Sequence, residues 1–290
     1  MTYALVLGGG GVTGVAWETG LLQGLRESGL DLTGADLVLG TSSGALVGAQ
    51  VTTGVPLDRL YERQVRDTTC DGERPPDLGP LVEFFAGRVA REGAAGARKQ
   101  PSQEVLAWIG RQARSASTRT TEEARVALIR SRLPVHEWPD RALLVTAVDT
   151  GDGSLETWDR ASGVPLPLAV AASCAVPWVH PPVWIGSHRY MDGGMRSATN
   201  ADLVAGHDVV VILAPVGAAP ACRDVLRDEV DALLDGGSRV QVVLPDDAAL
   251  EAIGPNPLDP ARRPQAAVAG RQQAAAVARM MAPIRNALAV

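Results

Sequence analysis

Short apolar runs of strand length alternate along the chain with segments in which apolar residues recur at helical spacing. The first run covers residues 3–7, and residues 15–27 follow it with apolar positions on one helical face. A second run at residues 37–39 precedes a small-residue helix at residues 45–52. Runs without polar alternation are typical of strands buried on both faces of a parallel sheet. The pattern therefore predicts an α/β fold in which a mostly parallel sheet is covered by helices.

Residues 56–139 differ from this opening because they contain no convincing strand and are rich in Arg, Glu, Gln and Ala. Their periodicity predicts helices at residues 57–66, 79–91, 102–112 and 121–133. No change of composition marks a domain boundary on either side. We therefore expect one domain over residues 1–290, with a helical cap or insertion at residues 56–139.

Strand patterns resume after residue 139. A strand at residues 142–148 and the turn after it predict a hairpin with residues 155–158, and residues 183–190 form a second predicted hairpin. The β-branched run at residues 208–213 predicts a central strand. The remaining predicted elements are helices at 167–173, 224–234 and 262–288 and a strand at 239–244.

The composition is that of an ordinary globular chain. Hydrophobic residues make up 46 % and charged residues 21 % of the sequence, and the net charge is −6. Because no basic face is available to neutralise phosphates, nucleic acid is not an expected partner. Three cysteines without metal or redox spacing fit reduced thiols, and the sequence has neither a leader pattern nor an apolar run of membrane-spanning length. We expect a cytoplasmic protein, at most peripheral to a membrane, and leave its oligomeric state open.

A Gly-x-Ser-x-Gly sequence links the second predicted strand to the helix after it. Gly40 and Gly44 flank Ser42, and their missing side chains leave room for closely packed backbone. A strand–turn–helix is the context of a nucleophile elbow, with the helix N-terminus directed towards the serine oxygen. The alternative is a tight turn with a helix-capping serine. The placement favours Ser42 as a candidate nucleophile.

Four consecutive glycines, Gly8–Gly11, follow the first predicted strand and precede a helix. Such a segment brings backbone N–H groups close to a bound oxygen or negative charge. One interpretation is an oxyanion hole. The alternative is a dinucleotide site, because Gly9, Gly11 and Gly14 satisfy Gly-x-Gly-x-x-Gly. A dinucleotide site needs an acidic residue after the second strand, where this sequence has the Ser42 turn, so the oxyanion hole is favoured.

A serine nucleophile requires a base, and most of the histidines are poorly placed for that role. Three of them lie in the predicted cap, in a hairpin and at the start of a buried strand, namely His136, His188 and His207. His180, in a proline-rich loop, remains a candidate. The other candidate is Asp192, which begins an Asp-Gly-Gly sequence after a predicted strand, although Asp-Gly pairs are also common in plain turns.

Four motifs occur in the order in which the patatin-like phospholipases carry them, and the sequence resembles that family over residues 3–213. The motifs are the glycine loop at residues 9–14, the Ser42 turn, residues 172–177 with Pro181 and Pro182, and Asp192-Gly193-Gly194. The resemblance implies a three-layer sandwich with a mostly parallel central sheet and a helical cap.

The same resemblance implies a chemistry. It implies a serine lipid acyl hydrolase, a phospholipase or esterase, that works through a Ser–Asp dyad and an acyl-enzyme without histidine, metal or cofactor. Ser42 corresponds to the nucleophile and Asp192 to the base. The amides of Gly9, Gly10, Gly11 and Val12 correspond to the oxyanion hole, and Gly40, Gly44 and Gly194 support the motifs. The implied partner is a lipid or other acyl ester.

One position departs from the family pattern. Thr13 stands where the family usually carries Arg or Lys, so a positive charge beside the glycine loop is missing. The departure bears on catalytic strength and on any preference for anionic phospholipid. Two other functions therefore stay open: nucleotide binding by the loop Gly9–Gly14, and lipid binding by a catalytically weak patatin-like protein.

Aromatic residues of the predicted cap are candidates for transient contact with a membrane or lipid surface. They are Phe84, Phe85, Trp108 and Trp138. Aromatic residues are more often part of a core, so burial is the simpler expectation for them. The apolar loop at residues 176–179 also has two interpretations. It could exclude water from the site, because a carboxylate that acts as a base needs a raised pKa, or it could be ordinary core.

Overall fold

The computed structural model of the chain describes residues 1–66, 75–84, 87, 99–217 and 219–284. Within these residues eight strands form one sheet. The strands are β1 (Tyr3–Leu7), β2 (Leu37–Thr41), β3 (Ala142–Asp149), β4 (Leu155–Trp158), β5 (Val183–Ile185), β6 (His188–Asp192), β7 (Val209–Leu213) and β8 (Arg239–Val243).

The sheet has a parallel centre and an antiparallel edge. Its order is β5-β6-β3-β2-β1-β7-β8, with β4 paired to β3. The pairs that join β3, β2, β1, β7 and β8 are all parallel, and the pairs that include β4, β5 or β6 are antiparallel. Leu7 at the end of β1 pairs with Gly40 of β2 and with Leu213 of β7. The loops after β1 and β2 therefore leave the sheet side by side.

The described helices cover both faces of this sheet. They are α1 (Gly11–Glu27), α2 (Ser43–Thr52), α3 (Leu57–Arg66), α4 (Gln103–Ser115), α5 (Glu122–Arg132), α6 (Leu166–Ser173), α7 (Pro220–Asp235), α8 (Asp247–Ile253) and α9 (Arg263–Met280). The side chains of Leu5 and Leu7 on β1 pack in a hydrophobic core with residues of α1, α2, α6 and α9. Ala4 and Val6 of the same strand pack in a second core on the other face of the sheet, together with residues of α7. The predicted three-layer α/β sandwich with a mostly parallel sheet is confirmed.

The segment predicted to form a helical cap contains α3, α4 and α5, and residues 79–84 are helical as well. Most of the remainder of the helix predicted at 79–91 lies outside the described residues. α5 begins after Thr121, whose Oγ1 accepts a hydrogen bond from the amide of Ala124 at 3.3 Å. A side-chain cap of this kind satisfies one of the amides that a first helical turn leaves without an intrahelical acceptor.

Several helices differ from the sequence-based predictions. α1 begins at Gly11, before the predicted start at residue 15, and its first turn makes a tertiary contact, in which the Thr13 amide donates to the Pro257 carbonyl at 3.1 Å. α9 ends at Met280, before the predicted end at residue 288, and a short 3-10 turn, Ala282–Ile284, follows it. Residues 285–290 lie outside the described part. The short helix α8 was not predicted.

Candidate active site

The turn between β2 and α2 holds Ser42 in a conformation that few residues adopt. Its φ of 55° and ψ of −118° place it in the left-handed half of backbone space, at a strained corner of the kind that carries nucleophiles. A Cβ on Gly44 would overlap the Leu7 carbonyl, and one on Gly40 would lie 2.5 Å from the Cα of Ala45. Both glycines are therefore required by close backbone packing around Ser42.

Asp192 lies at the end of β6 and meets Ser42 directly. The Ser42 hydroxyl donates to Asp192 Oδ2 at 2.7 Å, and the Gly194 amide donates to Asp192 Oδ1 at 2.7 Å. Ser42 is 7 % exposed and Asp192 is 2 % exposed. The structure thus brings together two candidate residues that are far apart in the sequence, and it gives Gly194 a contact that fixes the carboxylate.

Burial changes the acidity of this carboxylate. Removal from water raises the pKa of Asp192 from its ordinary value to about 6, against the lowering effect of the hydrogen bonds from Ser42 and Gly194 and of the Arg125 charge. A carboxylate with a pKa near 6 is ionised at neutral pH and still basic enough to accept a proton. The environment of Asp192 suits a general base.

The glycine loop contributes fewer free amides than the sequence suggests. The Gly9 amide donates to the Ala198 carbonyl at 2.7 Å, so it is not free to hold an oxyanion, and the prediction for Gly9 is corrected in this respect. Gly10, Gly11 and Val12 lie at the first turn of α1, where amides have no intrahelical acceptor. Gly11 and Val12 line the same cavity as Ser42.

Two residues that follow one another at the end of α6 hold the backbone of Ser42. Ser173 Oγ accepts a hydrogen bond from the Ser42 amide at 2.9 Å, and Cys174 Sγ donates to the Ser42 carbonyl at 3.1 Å. The sequence analysis included both in a family motif but gave neither a role. Their contacts show that the motif supports the strained turn.

A buried asparagine connects the turns that carry the two candidate catalytic residues. Asn200 Nδ2 lies 3.1 Å from Thr41 Oγ1, next to Ser42, and 3.3 Å from the carbonyl of Gly193, next to Asp192. Asn200 is fully buried and has a positive φ of 50°. The sequence analysis did not identify it, because an isolated asparagine after a strand gives no recognisable signal.

Ser42 opens into a cavity of about 380 Å³ between the glycine loop and the cap. Most of the lining side chains are apolar and come from α1, α2, α5 and the loop after α6. Four lining residues carry basic groups, namely Arg119, Arg125, Arg132 and His180. An apolar cavity with a few convergent polar groups is the usual form of a small-molecule site.

The histidines do not take the role of a base at Ser42. Burial, together with the charges of Arg125 and Arg132, lowers the pKa of His180 to about 3, so its imidazole is neutral. Its Nδ1 is buried and has no hydrogen-bond partner among the residues that the structure describes. The other three histidines bond elsewhere, to the Arg130 carbonyl, Asp149 and the Val204 carbonyl.

The cap aromatics are mostly packed against protein. Phe84 is buried and stacks on Trp108 with ring centroids 5.6 Å apart, while Trp108 is 37 % exposed. Trp138 packs against the large core and donates its indole N–H to the Val164 carbonyl. Phe85 lies outside the described residues. Of the helices the structure describes, none combines the length and the apolar character needed to cross a membrane.

Comparison with known proteins places the chain in a family. A search of the curated proteins found no match. VipD from Legionella pneumophila aligns with 96 % of this chain and 67 % of its own, at 14 % identity and a TM-score of 0.47. The type III effector protein ExoU aligns with 96 % of this chain at 16 % identity and a TM-score of 0.42, and this chain spans about half (53 %) of the ExoU chain.

The family model described as patatin-like phospholipase matches residues 5–205, which include the glycine loop, the Ser42 turn and Asp192. The match favours neither the nucleotide-binding alternative nor the catalytically weak one. It covers most of the chain, and this protein therefore belongs to the patatin-like phospholipase family.

Proposed function

We propose that the chain is a serine lipid acyl hydrolase that cleaves carboxylic esters through a Ser42–Asp192 dyad and an acyl-enzyme. Family membership supports lipid acyl hydrolysis in general. The observation that carries the dyad is the hydrogen bond of 2.7 Å between Ser42 Oγ and Asp192 Oδ2 at the cavity wall. The substrate's acyl chain would occupy the apolar part of this cavity.

In the proposed acylation step, Asp192 accepts the Ser42 hydroxyl proton while Oγ attacks the ester carbonyl carbon. The amides of Gly10, Gly11 and Val12 hold the negative charge that develops on the carbonyl oxygen. The protonated Asp192 then donates its proton to the leaving alcohol as the ester C–O bond breaks. General-base assistance of this kind contributes about 10²–10⁴-fold to the rate.

Deacylation repeats these roles with water. Asp192 accepts a proton from the water molecule that attacks the acyl-enzyme, and returns it to Ser42 Oγ as the carboxylic acid leaves. Each oxyanion donor is worth about 2.7–4 kcal/mol of transition-state stabilisation. The N-terminus of α2, which begins immediately after Ser42, adds a partial positive charge near the reacting oxygen.

The test compares Ser42→Ala and Asp192→Asn with the unaltered chain on short p-nitrophenyl esters. We expect turnover to fall by about 10³-fold or more in Ser42→Ala, and by about 10²-fold or more in Asp192→Asn. A fluorophosphonate probe should label the unaltered chain at Ser42. Undiminished turnover in either variant would contradict the dyad.

Matched controls are available within the same structure. Ser43→Ala removes the neighbouring hydroxyl, which donates to the Gly8 carbonyl and lines the same cavity. Asp149→Asn alters another buried aspartate on the adjacent strand β3, which accepts a hydrogen bond from the Gly151 amide much as Asp192 does from Gly194. Both controls should lose much less activity than the dyad variants.

A further inference from the structure

The connection between α8 and α9, residues 254–262, contributes to the Ser42 cavity although it lies outside residues 5–205, which the family model matches. Leu258 and Pro260 of this α8–α9 connection line the same cavity as the glycine loop. The family motifs account for the glycine loop but not for the chain segment that lies against it. The α8–α9 connection is therefore a part of the site to which the proposed chemistry gives no role.

The α8–α9 connection packs directly on the glycine loop. A Cβ on Gly11 would lie 2.5 Å from the Pro257 carbonyl oxygen and 2.7 Å from Leu258 Cδ2. Gly11 also has a positive φ of 63°, so both conformation and space exclude a side chain at this position. Because Gly11 has no side chain, Leu258 lies against the first turn of α1, where the candidate oxyanion amides are.

Thr13 holds the α8–α9 connection in this place. Its amide and its Oγ1 both donate to the Pro257 carbonyl, each at 3.1 Å. Thr13 is fully buried, so the longer basic side chain that is usual at this position in the family would need space that the α8–α9 connection occupies. The threonine therefore allows the α8–α9 connection to pack on the glycine loop.

A second set of contacts holds Leu258 from the side of the cap. The Leu258 amide donates to Asn256 Oδ1 at 3.0 Å, and Asn256 Nδ2 donates to the carbonyl of Pro76, in the cap segment, at 2.9 Å. Pro76 lines the Ser42 cavity as well. Leu258 thus extends the wall that the cap forms, and it is held on both sides.

The geometry of the dyad indicates which part of an ester meets this wall. In the proposed reaction Asp192 protonates the leaving oxygen, so the alcohol lies on the Asp192 side of the carbonyl carbon. The Asp192 amide donates to the Ala175 carbonyl at 3.0 Å, so the loop after α6 is on that side. The acyl chain must leave in another direction, and an apolar wall such as that of Leu258 and Pro260 suits a hydrocarbon chain.

We propose that Leu258 limits the length of the acyl chain that the site accepts, and that Thr13 holds Leu258 in position through Pro257. This inference rests on the proposed hydrolase function and adds the acyl-chain selectivity of that reaction. A chain that reaches the wall has to displace packed side chains in order to extend further. One methylene group too many or too few in a hydrophobic pocket changes kcat/KM by about 10- to 200-fold.

Two p-nitrophenyl esters, the decanoate and the butanoate, test the proposal. Leu258→Ala frees space for the longer chain and should raise the ratio of kcat/KM for the decanoate to that for the butanoate by about tenfold or more. Leu258→Phe should lower this ratio by about tenfold. The control is Leu250→Ala, which removes the same side chain from an exposed position on α8, away from the described residues that line the cavity, and should leave the ratio unchanged.

Esters with a constant acyl group distinguish the acyl chain from the alcohol. Methyl butanoate and octyl butanoate differ only in the alcohol, so Leu258→Ala should leave the ratio of their kcat/KM values within about twofold of that of the unaltered chain. A change confined to this pair would overturn the assignment of Leu258 to the acyl chain.

Thr13→Val tests how Leu258 is held. It removes the Oγ1 hydrogen bond to Pro257 and should raise the decanoate-to-butanoate ratio by about threefold, in the same direction as Leu258→Ala. The control is Thr19→Val, because Thr19 is a buried threonine of the same helix whose Oγ1 donates to the Val15 carbonyl. This control should leave the ratio unchanged, and an equal shift in both threonine variants would contradict the role of Thr13.

A ratio that is unchanged or lower in Leu258→Ala would overturn the proposal, and so would an equal rise in Leu250→Ala. If Leu258→Ala does not fold, Leu258→Val should raise the ratio by a smaller factor, and an unchanged ratio there has the same meaning. If the unaltered chain cleaves no ester, the proposed hydrolase function fails separately. Calorimetry with butanoate and decanoate then tests the wall alone: a gain of about tenfold in decanoate affinity in Leu258→Ala supports it, and no gain overturns it.

Discussion

The loops that follow β1 and β2 meet the cap helix α5 at the same cavity, but the two regions contribute different parts of it. The loops contribute backbone: the strained Ser42 turn, and Gly11 and Val12 at the first turn of α1. Helix α5 contributes side chains, among them Arg125 and Leu128. Backbone geometry tolerates few substitutions, whereas a wall of side chains can be changed one residue at a time. We therefore expect the chemistry to depend on the loops and substrate choice to depend on the cap.

The largest effect is expected where the loops are packed most tightly. Gly44→Ala would place a Cβ against the Leu7 carbonyl, which is backbone and cannot move aside. We expect the free energy of unfolding to fall by about 3 kcal/mol or more, with loss of esterase activity. Urea unfolding measures the first quantity and p-nitrophenyl ester turnover the second.

Gly54→Ala is the control for this substitution. Gly54 has a φ of +77°, and a Cβ added there would meet nothing within 4 Å, so alanine costs only backbone strain of about 1–2 kcal/mol. Equal unfolding midpoints for the two variants would show that the contact between Gly44 and β1 is not as restrictive as the geometry indicates.

The next effect is a pH dependence that originates in Asp192. The base must be unprotonated, and its pKa is raised to about 6, so kcat/KM should fall about tenfold for each pH unit below 6. Protonation of this carboxylate does not destabilise the fold, because a raised pKa means that the native state binds the proton more readily than the unfolded state. Circular dichroism should therefore show a folded chain while activity declines.

His180→Gln sharpens the assignment of that pH dependence. Because the pKa of His180 is lowered to about 3, its replacement should leave the midpoint near 6 unchanged. A midpoint that moves in His180→Gln, or a profile that stays flat down to pH 4.5, would contradict the role of Asp192.

A smaller effect is expected for Asn200, which joins the turns after β2 and β6 and is not among the described residues that line the cavity. Asn200→Ala removes the hydrogen bonds to Thr41 and to the Gly193 carbonyl. We expect kcat to fall about tenfold with KM nearly constant, and the free energy of unfolding to fall by about 1–3 kcal/mol. Steady-state kinetics and urea unfolding check this, and a loss of stability with unchanged kcat would limit Asn200 to a structural role.

The smallest effect belongs to the cap. Leu128 lines the cavity and is 40 % exposed, so Leu128→Ala removes contact with an acyl chain and little of the core. We expect KM for octanoyl esters to rise about threefold, with KM for acetyl esters and the unfolding midpoint unchanged. A fall in kcat for both esters would contradict the separation between the chemistry of the loops and substrate choice by the cap.

Much of the loop region could be predicted because its backbone conformation depends on residues that are close together in the sequence. The alternation of strands and helices indicates the sheet, and Gly40, Ser42 and Gly44 mark a turn whose geometry follows from residue type and spacing. The order of four motifs led to the family, which the match over residues 5–205 confirms. The catalytic roles of Ser42 and Asp192 stay predictions until they are tested.

Other contacts could not be predicted because they join segments that are distant in the sequence. The bond from Gly9 to Ala198 removes one expected oxyanion donor, and Asn200 joins Thr41 to Gly193. In the sequence, Arg125 is one of several arginines in a predicted helix, and nothing distinguishes it from the others. Only the packing of α5 beside the loop after α6 turns it towards Ser42.

The sequence by itself therefore determined the layered α/β architecture, the Ser42 turn and the family. Hydrophobic periodicity and short-range backbone constraints depend only on residues that are close together in the chain. The tertiary structure alone decided that the Gly9 amide bonds to the Ala198 carbonyl, that Ser42 and Asp192 share a hydrogen bond, and that the arginines lining the cavity, among the described residues, come from residues 119–132. Those outcomes depend on long-range packing and desolvation, which no local pattern specifies.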